Sequence, residues 1–503
     1  MVMKLKQSGQ KYLRYFSKYI SPTLFAVIVV GIISSILLFV PPINGLGDNG
    51  SYYRVLNSSG LFIEKSNDYQ FFTYFNKNFS IMQYYNQYPK TFASTQQLFI
   101  SLAIWLNKIF FSSELFDIRF LGGVYLIVYL GGIYLLMTGL TVGVSRKRSY
   151  LIALFVIFIL GDTSYTIYFN SFYAEAVSFL GSLYIFAAII YLYRVARGRQ
   201  KAWVYPLLFI STVVLIGSSR QQYLLIVGLF FVGLGLFAFA KSKGSRLALW
   251  TVLGSMMGFT LLAAVFIPAS NYDRDLYHSL TRGVMLETNT PDRRMRDGGI
   301  NQQYGLAKGT SYFDEYSPVA PDSDQVQKDL LRKTNPVWVL LNYVNHPTEL
   351  KKLLDLAVQD VYLVKPSELG NYEKKANLEE TKQTRFFTLY NRIKAAVFPK
   401  SFGFYILFAV TMIGIYGVGF YNGFKQRKSE VIVRFFLVFG FMLNLFVVFI
   451  SSIILHGDAD LIRHLFLVSL YLDLITVLIW SDVIGKRVWM DGMVIKEGFE
   501  DEL

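Results

Sequence analysis

The chain has 503 residues, of which 53% are hydrophobic and 17% aromatic, and its mean hydropathy is +0.38. Apolar runs recur from residue 22 to residue 481 in windows of about 20 residues almost without charge, which excludes a soluble globular protein. The net charge of +15 gathers in short clusters beside apolar runs with no recognisable binding module, which argues against nucleic acid as a partner; the lack of cysteine excludes disulfides, thiolate metal sites and cysteine nucleophiles.

A basic segment, Lys4 to Lys18, precedes the first apolar run, Pro22 to Val40. That run is long enough to cross a bilayer, and Pro41 and Pro42 follow it where a signal peptide would carry a small-residue cleavage site, so it reads as a retained helix and signal anchor. Further basic clusters lie at Arg146–Arg148, Arg194–Lys201, Lys241–Arg246 and Lys425–Lys428, and short basic loops of this kind mark the cytoplasmic face. The clusters predict about ten spans with both chain ends inside, at 22–41, 120–142, 149–168, 174–194, 203–218, 222–240, 247–267, 402–422, 431–455 and 464–481. Asp162 interrupts the third, where it reads mainly as a breaker at the outer end of the helix.

Two segments between spans are too long to be turns. In the first, an external loop over 42–119, "STQQLFISLAIWLNKIFFSS" puts Leu98, Leu102, Trp105 and Ile109 on one helical face and Gln97, Ser101 and Lys108 on another. This predicts a helix lying in the membrane interface; a further span there would invert every later loop against the charge rule. The second, 269–401, is charged and carries turn signals in "TPDRRMRDGG" and "APDSD". Pro347 suits a first helical position ahead of Leu353, Leu354 and Val358. A small, mainly helical extracytoplasmic domain is expected there, because its aromatic content is high for an unfolded linker. The expected fold is thus an all-α polytopic membrane protein. It comprises an N-terminal transmembrane module (1–268), the extracytoplasmic domain (269–401), and C-terminal transmembrane helices with a cytoplasmic tail (402–503).

Ionisable groups in or beside spans are costly and call for a reason. Asp48 in "NGLGDNGSYYRVL" follows the first span; Tyr173 and Glu175 in "YFNSFYAEAVSF" open the fourth; Arg220 and Gln221 in "GSSRQQYL" form the hairpin of the fifth and sixth; Asp458, Asp460, Arg463 and His464 in "HGDADLIRHLFL" form that of the ninth and tenth. All four motifs are expected on the outer face. A lone arginine at an outer turn, Arg220, suits a phosphate through paired hydrogen bonds, with headgroup contact or an ion pair to Glu175 as the alternatives. If "DADLIRH" starts a helix, Asp460, Arg463 and His464 share a face, as a site or as a local salt bridge and cap. Asp48, between Gly47 and Gly50, is a candidate base or an ordinary turn. Tyr52 and Tyr53 suit stacking on a ligand or anchoring at the interface. The short internal loops hold no G-x-G-x-x-G or P-loop, so an activated group used outside would arrive on a membrane lipid.

Asp48 after the first span, the juxtamembrane stretch from "PKTFASTQQ" through "GGIYLL", "NSFYAEAVSF" and the paired short spans around "SSRQQ" resemble the GT-C superfamily of integral membrane glycosyltransferases. "TRGVMLE", "SELGNYEKK" and "HGDADLIRHLFL" are similar to the WsfD-like hexose transferases of Gram-positive surface-glycan synthesis, so the likeness runs along essentially the whole chain. The resemblance implies a multi-pass plasma-membrane enzyme with an extracytoplasmic site. It would move a hexose from a polyprenyl-phosphate-sugar donor to a cell-surface or teichoic-acid-like glycan, with inversion. By motif position Asp48 would be the base. Arg220, with Arg463 or His464, would hold the donor phosphate, and Glu175 would orient the sugar or one of those cations. Tyr52, Tyr173, Gln221, Asp458 and Asp460 would complete the substrate-orienting set. No metal ligand is assigned, and the single acidic residue of "GD", where family members carry a pair, leaves divalent-metal dependence open. The competing functions are a transporter or flippase of lipid-linked glycans, which calls for mid-membrane polar residues and broken helices, and a sensor with an external domain.

Overall fold

The computed structural model describes residues 20–63, 72–83, 94–198, 200–240, 269–312, 314 and 318–489, with scattered positions between 243 and 258. The chain is a polytopic all-α membrane protein. Among the described residues seven helices are long and apolar enough to cross a membrane: Pro22–Phe39, Arg119–Thr141, Glu175–Arg194, Arg220–Phe237, Phe402–Gln426, Ser429–His456 and Leu461–Ile484. An eighth span is broken, Arg146–Leu160 meeting Thr163–Asn170 at 47°. The break falls where Asp162 accepts the Ser164 N–H at 2.9 Å and starts a new short helix. Gln200–Ile216 is a shorter apolar helix, and most of the expected span 247–267 falls outside the described residues.

Burial ranks these helices. Glu175–Arg194 is 89% buried over its most apolar window and forms the centre, whereas Phe402–Gln426 is 28% buried and lies at the rim. In a bilayer, helices gain by close backbone approach at small residues, and the Ile226–Phe239 and Ser429–His456 helices meet in this way: a Cβ on Gly228 would stand 2.2 Å from the Gly440 carbonyl oxygen. Asn444 completes the contact by accepting the Gly228 N–H at 3.0 Å.

The loop after the first span is more than a helix. Strands β1 (Leu61–Phe62), β2 (Asn78–Ile81) and β3 (Leu115–Asp117) form an antiparallel sheet in that order, with Leu61 opposite Ile81 and Phe79 opposite Phe116. Beside it runs the Gln96–Phe110 helix, which exposes Leu98, Leu102, Trp105 and Ile109, as an interfacial helix should, and buries Gln96, Gln97 and Asn107. The polar face expected to meet water therefore divides, with Ser101 and Lys108 outward and Gln97 inward. Asn107 explains the inward half: its amide donates to Ser112 and Leu115 carbonyls at 2.9 and 2.8 Å and accepts the Asp117 N–H at 3.0 Å, locking helix to strand.

The 269–401 segment is folded and mainly helical, with Pro347 in the first turn of Pro347–Val361 and Leu353, Leu354 and Val358 buried. It does not stand apart as a cap. Gly45 and Gly47 donate their N–H groups to the carbonyls of Asn371 and Gly370, at 3.1 and 2.9 Å, and Tyr372 accepts from Phe75 at 2.9 Å, so "GNY" is stitched into the first loop. Near its end, the Leu389–Val397 helix enters the bundle. Lys394 and Asp473, both fully buried, pair at 2.8 Å, with Ser469 and the hydroxyls of Tyr390 and Tyr165 completing the network.

Candidate active site

Asp48 sits where the chain turns from the first span into the short helix Tyr52–Ser59. Its Oδ1 accepts the N–H groups of Gly50 and Tyr52 at 2.8 and 3.1 Å. These bonds are the turn chemistry expected of aspartate beside glycine. The side chain is buried, 4% exposed. Burial disfavours the charged form and pushes the carboxyl up to about 6, against the pull of those N–H groups and of the Arg463 charge.

The next residue carries the network onward. Asn49 donates its side-chain amide to Asp460 at 2.9 Å and its backbone N–H to the Tyr173 hydroxyl at 3.0 Å; that hydroxyl in turn donates to the Gly47 carbonyl at 2.8 Å. The Tyr173 ring lies 4.0 Å from the Arg463 guanidinium carbon, a cation–π contact. Arg463 bonds Glu175 at 3.0 Å and Asp460 at 2.8 Å. Three widely separated stretches thus meet in one network around Arg463. Burial raises Asp460, which Arg463 and Asn49 oppose. Glu368, from the "SELGNYEKK" stretch, lies within electrostatic reach of Asp460 and Arg463.

Beside this acidic half lies a basic one. The Arg220 guanidinium faces Asp275 at 3.5 Å and lies 5.0 Å from the centre of the Tyr272 ring. Arg274 also holds Asp275, at 2.9 Å. Two guanidiniums therefore share one carboxylate, and both are about a quarter exposed. Arg274 reaches electrostatically to Asp460, which joins the halves. Behind them His464 Nδ1 meets the Gln221 amide oxygen at 3.1 Å and its ring stacks on His456 at 3.8 Å. Gln221 also donates to Ser452 at 2.6 Å. Asp458 pairs with Arg282 at 2.7 Å. Nearby, His278 is driven down to about 3 by burial and by the neighbouring His456.

The structure brings Asp48, Tyr173, Glu175, Asp460 and Arg463 into one network and corrects several expected roles. Glu175 holds Arg463, one of the cations it was expected to orient, and the alternative pair with Arg220 is replaced by Arg220–Asp275. Arg463, expected to help hold a phosphate, faces two carboxylates and an aromatic ring. His464 bonds Gln221 and stacks on His456, and Gln221, expected to orient substrate, is held by His464 and Ser452. Tyr52 is buried, with its hydroxyl donating to the Leu46 carbonyl at 3.1 Å and its ring edge-on to Tyr173, so it braces the Asp48 turn where a face for stacking on a ligand was expected. Tyr53 is exposed. Asp458 is taken up by Arg282, away from Asp460. Asn49, Arg274, Asp275, Arg282 and His456 were not singled out from sequence. The run of charges in "YDRDLYH" straight after an apolar stretch was the available signal for two of them.

Among the described residues, no group of three or more His, Asp or Glu is arranged to hold a metal ion. The reason is visible in the acidic half, where the Arg463 guanidinium stands between the carboxylates in the place a cation would take. The donor set of this acidic half does not suit a divalent ion.

Long, charge-poor helices with ionisable side chains held mainly at their ends define a multi-pass membrane protein. The family model described as the YfdI N-terminal transmembrane domain matches residues 9–500. The chain belongs to that family, which is one of membrane glycosyltransferase-like proteins. No curated protein and no solved structure matches it.

Proposed function

We propose that the chain is a hexosyltransferase of the GT-C kind, similar to the WsfD-like enzymes, that uses a polyprenyl-phosphate-linked sugar and builds a cell-surface glycan on the extracytoplasmic face of the plasma membrane. The observation that carries this reading is the adjacency of two differently charged halves at the helix ends. A carboxyl held near neutrality, Asp48, lies in the acidic half, and two arginines that share one carboxylate, Arg220 and Arg274, make the other. Sugar transfer from a lipid phosphate calls for both: a base for the acceptor hydroxyl and positive charge for the leaving group.

In this mechanism the acceptor hydroxyl oxygen attacks the anomeric carbon as its proton passes to Asp48. The bond from the anomeric carbon to the phosphate oxygen breaks, and its electron pair leaves with the lipid phosphate. Arg220 and Arg274 stabilise that growing charge in a partly desolvated cleft, where a fixed cation counts for more than in water. Arg463 acts as a positioning residue that holds Glu175, Asp460 and the Asp48 turn in register. One displacement inverts the anomeric carbon. The sugar is a hexose by family likeness, and the acceptor a cell-wall or teichoic-acid-like glycan.

The test is transfer of labelled hexose from polyprenyl phosphate to isolated cell-envelope glycan by purified protein in liposomes. The reading expects turnover by the wild type and a loss of at least about 100-fold, some 2.7 kcal/mol of transition-state stabilisation, in Arg220→Gln with Arg274→Gln. Full activity in that double variant would remove the basic half from the reaction. Transport of the lipid-linked sugar without transfer would favour a flippase, the second reading, to which the broken span at Asp162 and the mid-span Asp473 lend some weight. Against it, Asp473 is sealed and fully partnered by Lys394, Tyr390 and Tyr165, which suits a helix clamp better than a path.

A further inference from the structure

The helix Pro336–Asn345, "PVWVLLNYVN", has no charged residue, yet it exposes Val337, Leu340, Leu341 and Val344, each between 42 and 65% accessible. These four form an i, i+3, i+4, i+7 stripe, the pattern that ordinarily faces a core. Its opposite side buries Val339, Asn342 and Tyr343 and packs on the Ser429–His456 span. A water-facing helix would place its polar side outward; this one is turned the other way. Pro336, at its start, lines a shallow cleft with Ile454 and Leu455 of that span and with Tyr272, Leu276, Asp275 and Arg220. The cleft thus reaches the start of the helix that carries the stripe, and Arg220 in its wall shares the Asp275 carboxylate with Arg274.

We propose that the Pro336–Asn345 helix lies in the bilayer leaflet and that a phosphate lipid with a long hydrocarbon chain enters the cleft laterally along it. The phosphate meets Arg220 and Arg274, and the chain follows Leu340, Leu341 and Val344. This assignment rests on the functional reading above and adds to it the route and the residues that hold the tail. A diffusing anion would need only the arginines; the exposed stripe leading away from them is what selects a lipid.

Retention of a labelled long-chain polyprenyl phosphate and of a short-chain, water-soluble analogue would be measured in nanodiscs of zwitterionic lipid. Leu341→Gln with Val344→Gln, both at exposed positions, should weaken the long-chain ligand by at least about tenfold and leave the short analogue within about twofold. Arg220→Gln should weaken both. Equal loss of long and short ligand in the stripe variant, or no loss of either, overturns the tail assignment while phosphate binding stands. Failure of the wild type to hold either ligand overturns the functional reading together with the route. Displacement by a bulk anionic phospholipid at equal concentration would show a general lipid contact and overturn the proposal. Because the chain has no cysteine, a spin label at Val344→Cys gives an independent reading. It should be relaxed by lipid-soluble oxygen more than by an aqueous nickel chelate, and the reverse order would place the helix in water.

Discussion

Asp48 and Arg463 carry opposite expectations, although one network holds both. Asp48 titrates at about 6 in the folded protein against an ordinary 3.8, because burial penalises its charge. A base with that value loses activity as pH falls through about 6, so kcat/KM for transfer should follow a single protonation there. The sign for stability is the reverse: a raised pKa means that the protonated form favours folding, a contribution complete below 3.8 and lost as pH rises through 6. At about pH 7.5, Asp48→Asn therefore keeps an acceptor oxygen for Gly50 and Tyr52, sheds a costly charge, and should leave Tm unchanged or raise it. Arg463→Gln should do the opposite. It strands Glu175 and Asp460 without their cation, a loss of roughly 3–5 kcal/mol for a broken buried pair, which thermal unfolding in detergent would register as a fall in Tm. Equal Tm in that variant would mean the carboxylates find other partners.

The elements explain what could and could not be read in advance. Charge-free windows located seven of the ten expected spans because hydrophobic length is a local property, while the third is broken at Asp162, the fifth is the shorter Gln200–Ile216 and most of the seventh lies outside the described residues. Pro347 marked a helix start for the same local reason. Four polar motifs were expected at one set of helix ends, and five of their residues meet there. Their pairing was not legible: Glu175 with Arg463 and Arg220 with Asp275 join residues 288 and 55 positions apart, and no spacing rule links them. The stitching of "GNY" to the first loop is likewise made of long-range backbone bonds, which leave no side-chain pattern. It makes one demand on sequence. A Cβ on Gly370 would stand 1.9 Å from the Thr73 carbonyl oxygen, itself backbone. Gly370→Ala should therefore part that strip from the Asp48 turn. The expected result is reduced transfer together with faster proteolysis of the 72–83 and 367–383 stretches, whereas unaltered cleavage would show the contact to be dispensable.

At the level of the whole molecule, the chain is a membrane bundle whose intervening segments are woven back into it. The Leu389–Val397 helix reads as a surface helix, since Leu389, Ile393 and Val397 are exposed, yet its Lys394 is buried against Asp473 of a span. Lys394→Met alone should cost roughly 3–5 kcal/mol, and Lys394→Met with Asp473→Leu should recover much of it, because two apolar residues replace a pair whose desolvation was costly. Denaturation of both variants in one detergent would decide this; a double variant no better than the single would argue that the polar network itself holds the helix in place. The most direct test of the account is hexose transfer by wild type and Asp48→Asn, matched for amount and Tm, in liposomes with polyprenyl-phosphate-linked donor and cell-envelope glycan. The account predicts turnover by the wild type and none measurable from the variant, and equal turnover by the two proteins would contradict it.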